Sequence, residues 1–195
     1  NIEEWASVKG IEFGSLLAGE YEYDWTGPKD LSVTLKSRYS TDKLYLLVQV
    51  KDNAVVSRKK QWKSDFVEIW LLAPENPIKQ NKGLYGISFD LGPLTYDEAP
   101  TMKYLSAGKK GTPDVMSATI KLYDGYDIEM AIPFSEFSTL SPAMDGKINF
   151  CVLVRDWDQD DPNEDEVVVA SCKANPKQSK KLSAKDMGKM TFNLA

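Results

Sequence analysis

The chain has 195 residues, 42% hydrophobic and 27% charged, with a formal net charge of −5 and a pI near 4.9. This length and composition predict one folded domain over residues 1–195 and exclude a disordered chain. The acidic balance argues against nucleic acid or another polyanion as partner, no run reaches the ~18 apolar residues of a membrane span, and the absence of histidine excludes imidazole bases, histidine zinc sites and histidine-held haem.

Period-two alternation dominates the chain. Residues 31–39 place Leu31, Val33 and Leu35 against Ser32, Thr34 and Lys36; the polar turn Ser40-Thr41-Asp42 then leads into a second strand at 43–51. Residues 62–72 form the most informative segment. Val67, Ile69 and Leu71 fall on one face; Phe66, Glu68 and Trp70 fall on the other, with Trp62 and Asp65 just before them. Aromatic faces beside carboxylates suit a sugar, whose C–H face stacks on a ring while its hydroxyls need acceptors and donors. Trp62, Asp65, Glu68 and Trp70 are therefore the expected ligand-binding residues. For Trp62 the alternative is partial burial under a loop, and for Trp70 it is packing beneath the loop at 74–83.

Further strands are expected at 84–91, at 115–123 and 126–132 around the turn Asp124-Gly125, at 148–157 and 166–172 around an acidic loop, and at 188–194. One short helix fits residues 133–140. Many short strands at this spacing predict an all-β fold, an antiparallel β-sandwich of jelly-roll or immunoglobulin-like type with short helical turns.

The acidic loop carries Asp156, Asp158 and Asp160 at the spacing of the first three oxygen ligands of a calcium loop. Asp161 and Val167 stand where an EF-hand needs glycine and glutamate, so it is not an EF-hand. Either a calcium ion or a bare solvated loop satisfies these acids. Cys151 and Cys172 flank the same hairpin, and a symmetric register would set them opposite each other, as a cross-strand disulfide or as two buried thiols. A glycoside hydrolase needs two acids at a fixed separation. Asp65, Glu68, Asp90 and Glu129 are the candidates for that alternative.

From about residue 5 to 192 the order of segments resembles the family 9 carbohydrate-binding modules. The likeness is carried by residues 30–39 with 42–52, by Trp62-Lys63-Ser64-Asp65-Phe66-Val67-Glu68-Ile69-Trp70, by residues 125–134, and by residues 146–150 leading to Val154-Arg155-Asp156-Trp157-Asp158. The resemblance implies a non-catalytic sugar-binding domain, attached to or acting beside polysaccharide-degrading enzymes, with structural calcium. It also implies a secreted, periplasmic or cell-surface location, the chain opening at Asn1 as a mature form with any signal peptide removed. By this resemblance Trp62 is one side of an aromatic clamp and Glu68 bonds sugar hydroxyls. The opposing tryptophan would fall near Lys181 or Leu182, and a basic residue of the next strand near Gly86. Either another aromatic such as Tyr85, Tyr96 or Tyr104 substitutes, or the ligand differs, or the domain has lost the sugar clamp and serves a protein-interaction or structural role.

Overall fold

The computed structural model describes residues 2–14, 25–57, 64–72, 84–91, 101–105, 109–136, 146–157, 166–173 and 182–191. They form strands β1 (Ile11–Phe13), β2 (Leu31–Tyr39), β3 (Lys43–Asp52), β4 (Phe66–Leu72), β5 (Leu84–Asp90), β6 (Thr101–Tyr104), β7 (Met116–Leu122), β8 (Gly125–Pro133), β9 (Lys147–Asp156), β10 (Val167–Ala170) and β11 (Gly188–Thr191). Two 3₁₀ turns, Ile2–Trp5 and Phe134–Glu136, complete the described elements. The second replaces the helix expected at 133–140, whose residues 137–140 lie outside the described ones. No helix among the described residues is long and apolar enough to cross a membrane.

The strands make two antiparallel sheets, a β-sandwich. One runs β1-β2-β3-β8-β7; the other runs β10-β9-β4-β5-β6, with β11 sharing the β10 edge of β9. The β2–β3 and β7–β8 hairpins follow from their turns. Ser40 closes the first, its amide donating to the Lys43 carbonyl at 2.9 Å and its hydroxyl to Asp42 at 2.7 Å. Gly125 makes the second: at φ 136° it occupies a region that side chains avoid, and a Cβ there would meet the Val50 carbonyl oxygen at 1.9 Å.

The main core lies between the sheets. Leu31, Val33 and Leu35 of β2 and Leu44, Leu46, Val48 and Val50 of β3 face Val67, Ile69 and Leu71 of β4 and Phe150, Val152 and Val154 of β9. A second core covers the outer face of the six-stranded sheet. There Trp70, Leu72, Leu84, Cys151, Leu153 and Val168 pack with Leu182 and Met187 from the segment before β11. Most of β4 and β9 is therefore apolar on both faces, which explains their near-continuous hydrophobic runs. The sandwich is stapled beside the Phe134–Glu136 turn, where Lys109 lies 4.9 Å and 5.1 Å from the Tyr85 and Tyr104 ring centroids and pairs with Glu136 at 3.2 Å.

A disulfide joins Cys151 to Cys172, with Cα atoms 5.4 Å apart. The register explains it: β10 ends with Ala170 opposite Leu153, and two residues further Cys172 comes opposite Cys151. One residue on, the Lys173 amide bonds the Asp186 carbonyl at 2.8 Å. The bridge spans 21 residues, so the Cys151→Ala, Cys172→Ala double variant should lose about 3 kcal/mol of stability. Urea unfolding of the oxidised wild type and the variant measures this.

Candidate functional site

Strand β4 presents its outward side chains in the order Phe66, Glu68, Trp70. Trp70 is fully buried in the second core and Glu68 is 4% exposed, so neither presents an open face to solvent. The tryptophan is buried because the chain itself covers it. Its ring lies over Gly86 of β5, where a Cβ would come within 2.4 Å of the indole. Gly86, the place of a basic residue by resemblance, is thus kept bare by Trp70. Leu182, near the place of the opposing tryptophan, is 4% exposed and packs in the same cluster. Trp62 lies outside the described residues, as does Tyr96.

Glu68 is held on two sides. Its Oε2 accepts from the Trp70 indole N–H at 2.8 Å, and its Oε1 from Arg155 Nε at 2.9 Å. A second Arg155 nitrogen reaches Glu166 at 2.6 Å, and the guanidinium lies 5.3 Å from the Phe66 ring centroid. One cation thus holds two carboxylates in a place where an unpaired charge would be costly. Burial still raises the pKa of Glu166, against the lowering pull of Arg155. Tyr85 is also buried, at 4% exposure, and Tyr104 donates to Glu136 at 2.7 Å, so both belong to the Lys109 staple. Of the four hydrolase candidates, Glu129 bonds Trp5 on the other sheet and Asp65 sits before β4, while Glu68 and Asp90 share the outer face of the six-stranded sheet, Asp90 lying opposite Phe66 and Glu68 opposite Ser88.

Asp65 belongs to a different constellation. It is fully buried, and its two oxygens accept backbone N–H groups from Val56 at 2.6 Å and Trp157 at 2.9 Å. It is therefore committed to tying the loop after β3 to the end of β9. Asp52 closes β3 and Asp156 closes β9, and one oxygen from each of Asp52, Asp65 and Asp156 lies within 4.8 Å of the others. All three are buried, and among the described residues Asp52 Oδ2 and the neighbouring Tyr126 hydroxyl have no hydrogen-bond partner. Oxygens no more than 4.8 Å apart can share one ion at the ~2.4 Å typical of calcium, and an all-oxygen set suits a hard dication. These residues fit such an ion. Of the three aspartates singled out for calcium, Asp156 stands in this cluster; Asp158 and Asp160 lie outside the described residues. No local pattern signals the set, since its members are separated by 13 and 91 residues.

The electrostatics match this geometry. Burial, reinforced by the Asp52 charge, pushes Asp65 up to about 9; burial also raises Asp52, and it raises Tyr126 well above its usual value, helped by all three carboxylates. In cation-free protein the folded Asp65 keeps its proton to about pH 9, whereas the unfolded group loses it near 3.8. The folded state then binds more protons across that window, so stability should fall as pH rises through it. Thermal melts in chelator check this, and Asp65→Asn should flatten the slope.

Comparison with known proteins places this geometry. A family model described as "Carbohydrate family 9 binding domain-like" matches residues 3–193. The chain is 28% identical over 167 residues to endo-1,4-beta-xylanase A of Thermoanaerobacterium saccharolyticum, covering 80% of this chain and 12% of that protein, so it spans about an eighth of that relative's length. Among solved structures it resembles a family 9 carbohydrate binding module from Caldicellulosiruptor kristjanssonii. The complex with glucose aligns at a TM-score of 0.64 and 15% identity, over 98% of this chain and 87% of that one. The complex with cellotriose aligns at 0.63 and 16%, over 97% and 85%.

Proposed function

The chain belongs to the carbohydrate family 9 binding domain-like family, and from that premise we propose that it is a non-catalytic saccharide-binding domain. The supporting observation is the network of Glu68, Arg155 and Glu166 on the outer face of the six-stranded sheet, in the segment that follows Trp62. In this reading Trp62 stacks on a sugar ring. Glu68 fixes the guanidinium of Arg155, and the linked charges supply acceptors and donors for hydroxyls. Glucose and cellotriose, bound by the Caldicellulosiruptor module, are the first ligands to test. The xylanase relative supports a setting beside glycan-degrading enzymes, and the disulfide supports a secreted, periplasmic or cell-surface location. The engagement of both Glu68 oxygens by Trp70 and Arg155, and of both Asp65 oxygens by backbone amides, favours binding over hydrolysis.

Calorimetry on wild type and Trp62→Ala tests the sugar site. The wild type should bind cellotriose, and the variant should lose binding while keeping its melting temperature. A wild type that binds no saccharide but captures one protein from the extracellular fraction would favour an interaction domain that has lost the sugar clamp.

A structural calcium ion held by Asp52, Asp65 and Asp156 is the second part of the proposal. It would neutralise three buried charges and tie the ends of β3 and β9 to the residue preceding β4. Calcium at 100 times its Kd should stabilise the fold by about 2.7 kcal/mol. The gain should vanish in Asp65→Asn; a wild-type melting curve unmoved by calcium would remove the ion from the account.

A further inference from the structure

We propose that the β1 edge of the five-stranded sheet carries a second binding site, on the opposite side of the sandwich from Glu68 and Arg155, and that it takes a polyhydroxy acid of the uronic acid class. The site goes beyond the saccharide reading above and stands on a separate set of residues. A cleft of about 440 Å³ opens beside β1, lined by Glu12 of β1, Ser32 and Thr34 of β2, Lys51 of β3 and Lys29 of the turn before β2. Ser32 and Thr34 are half-buried, while Glu12, Lys29 and Lys51 are exposed around them. Among the described residues none of these five side chains forms a hydrogen bond or an ion pair. Their donors and acceptors meet one shared space.

Two features keep that space open and fixed. Gly14, just after β1, lines the cleft without a side chain, and a Cβ there would come within 3.0 Å of the Ser32 Cβ. The turn that carries Lys29 is held by buried Asp30. The Asp30 amide donates to the Gly27 carbonyl at 2.9 Å, and its carboxylate accepts from the Thr26 amide at 2.8 Å and the Asn53 side chain at 2.6 Å. Lys29 therefore projects from a set backbone, which lowers the cost of ordering it on a ligand.

The register separates the charges. Lys51 stands opposite Ser32, and Glu12 stands opposite Thr34. Lys29, three residues before Ser32, joins the Lys51 end. The cleft is thus cationic at one end and anionic at the other, with two hydroxyls about 6.6 Å apart along the strand between them. A bare anion would meet the lysines but be repelled by Glu12. A neutral sugar would use Glu12 and the hydroxyls but leave both ammonium groups without a partner. A pyranose bearing a carboxylate matches both ends. Its carboxylate accepts from Lys29 and Lys51, its ring hydroxyls meet Ser32 and Thr34, and one hydroxyl donates to Glu12. Because the lysines are exposed, the attraction is modest and screened by salt.

An NMR titration of the full chain with glucuronic acid, glucose and inorganic phosphate tests the site. Glucuronic acid should shift the amides of residues 12–14, 29–34 and 51, and added salt should weaken the effect. The Lys29→Ala, Lys51→Ala double variant should bind it about tenfold more weakly at an unchanged melting temperature. Glucose and phosphate should bind there more weakly than glucuronic acid. Equal binding of glucose or phosphate at these amides would overturn the uronic acid assignment. Wild-type affinity in the double variant, or amides in this cleft that do not respond, would overturn the site itself. Cellotriose binding that depends on Trp62 is untouched by any of these results, so the two sites fail or stand separately.

Discussion

Strand β4 has to satisfy two cores at once, and the arrangement of the domain follows from that demand. Its inward side chains, Val67, Ile69 and Leu71, complete the core between the sheets, while Trp70 and Leu72 anchor the outer cluster. A fully buried tryptophan needs a partner for its indole N–H, and Glu68 two residues away accepts it. The carboxylate thereby becomes a buried charge, which Arg155 compensates from the neighbouring strand. Gly86 leaves room for the indole on the other side. The outer cluster stops short of the Phe66 end, where that side chain is left half-buried.

At the end of the sandwich the same strands meet a second demand. Asp52, Asp65 and Asp156 close or precede β3, β4 and β9, so the pairing that builds the sheets also brings their acids together. Backbone amides from Val56 and Trp157 partly solvate Asp65. They offset part of the cost of burying it, but burial first and the Asp52 charge second still hold Asp65 up, and burial raises Asp52 as well. A bound dication would offset the cost of burying these carboxylates and join strands far apart in sequence.

Much of the fold was legible because period-two alternation is a local signal. The β2–β3 hairpin, the Asp124-Gly125 turn and the acidic hairpin lie close to their expected positions. Strands β1 and β6, of three and four residues, are too short to show a pattern. The inner face of β4 could be read from its own residues. Its outer face could not, because the burial of Trp70 depends on Leu182 and Met187, more than a hundred residues later. The acidic cluster was hidden for the same reason. A search along consecutive acids finds Asp156, and only the sheet register joins it to Asp52 and Asp65. The half-buried state of Phe66 likewise reflects where the outer cluster ends.

Cys172 is bonded to Cys151, and one residue on the Lys173 amide is bonded to the carbonyl of Asp186. The turn that supplies Leu182 and Met187 to the outer core is thus anchored one residue beyond the bridge. Reduction of the disulfide would therefore loosen the cover over Trp70 as well as the hairpin it staples, so the redox state of one bond is coupled to the packing of a whole sheet face.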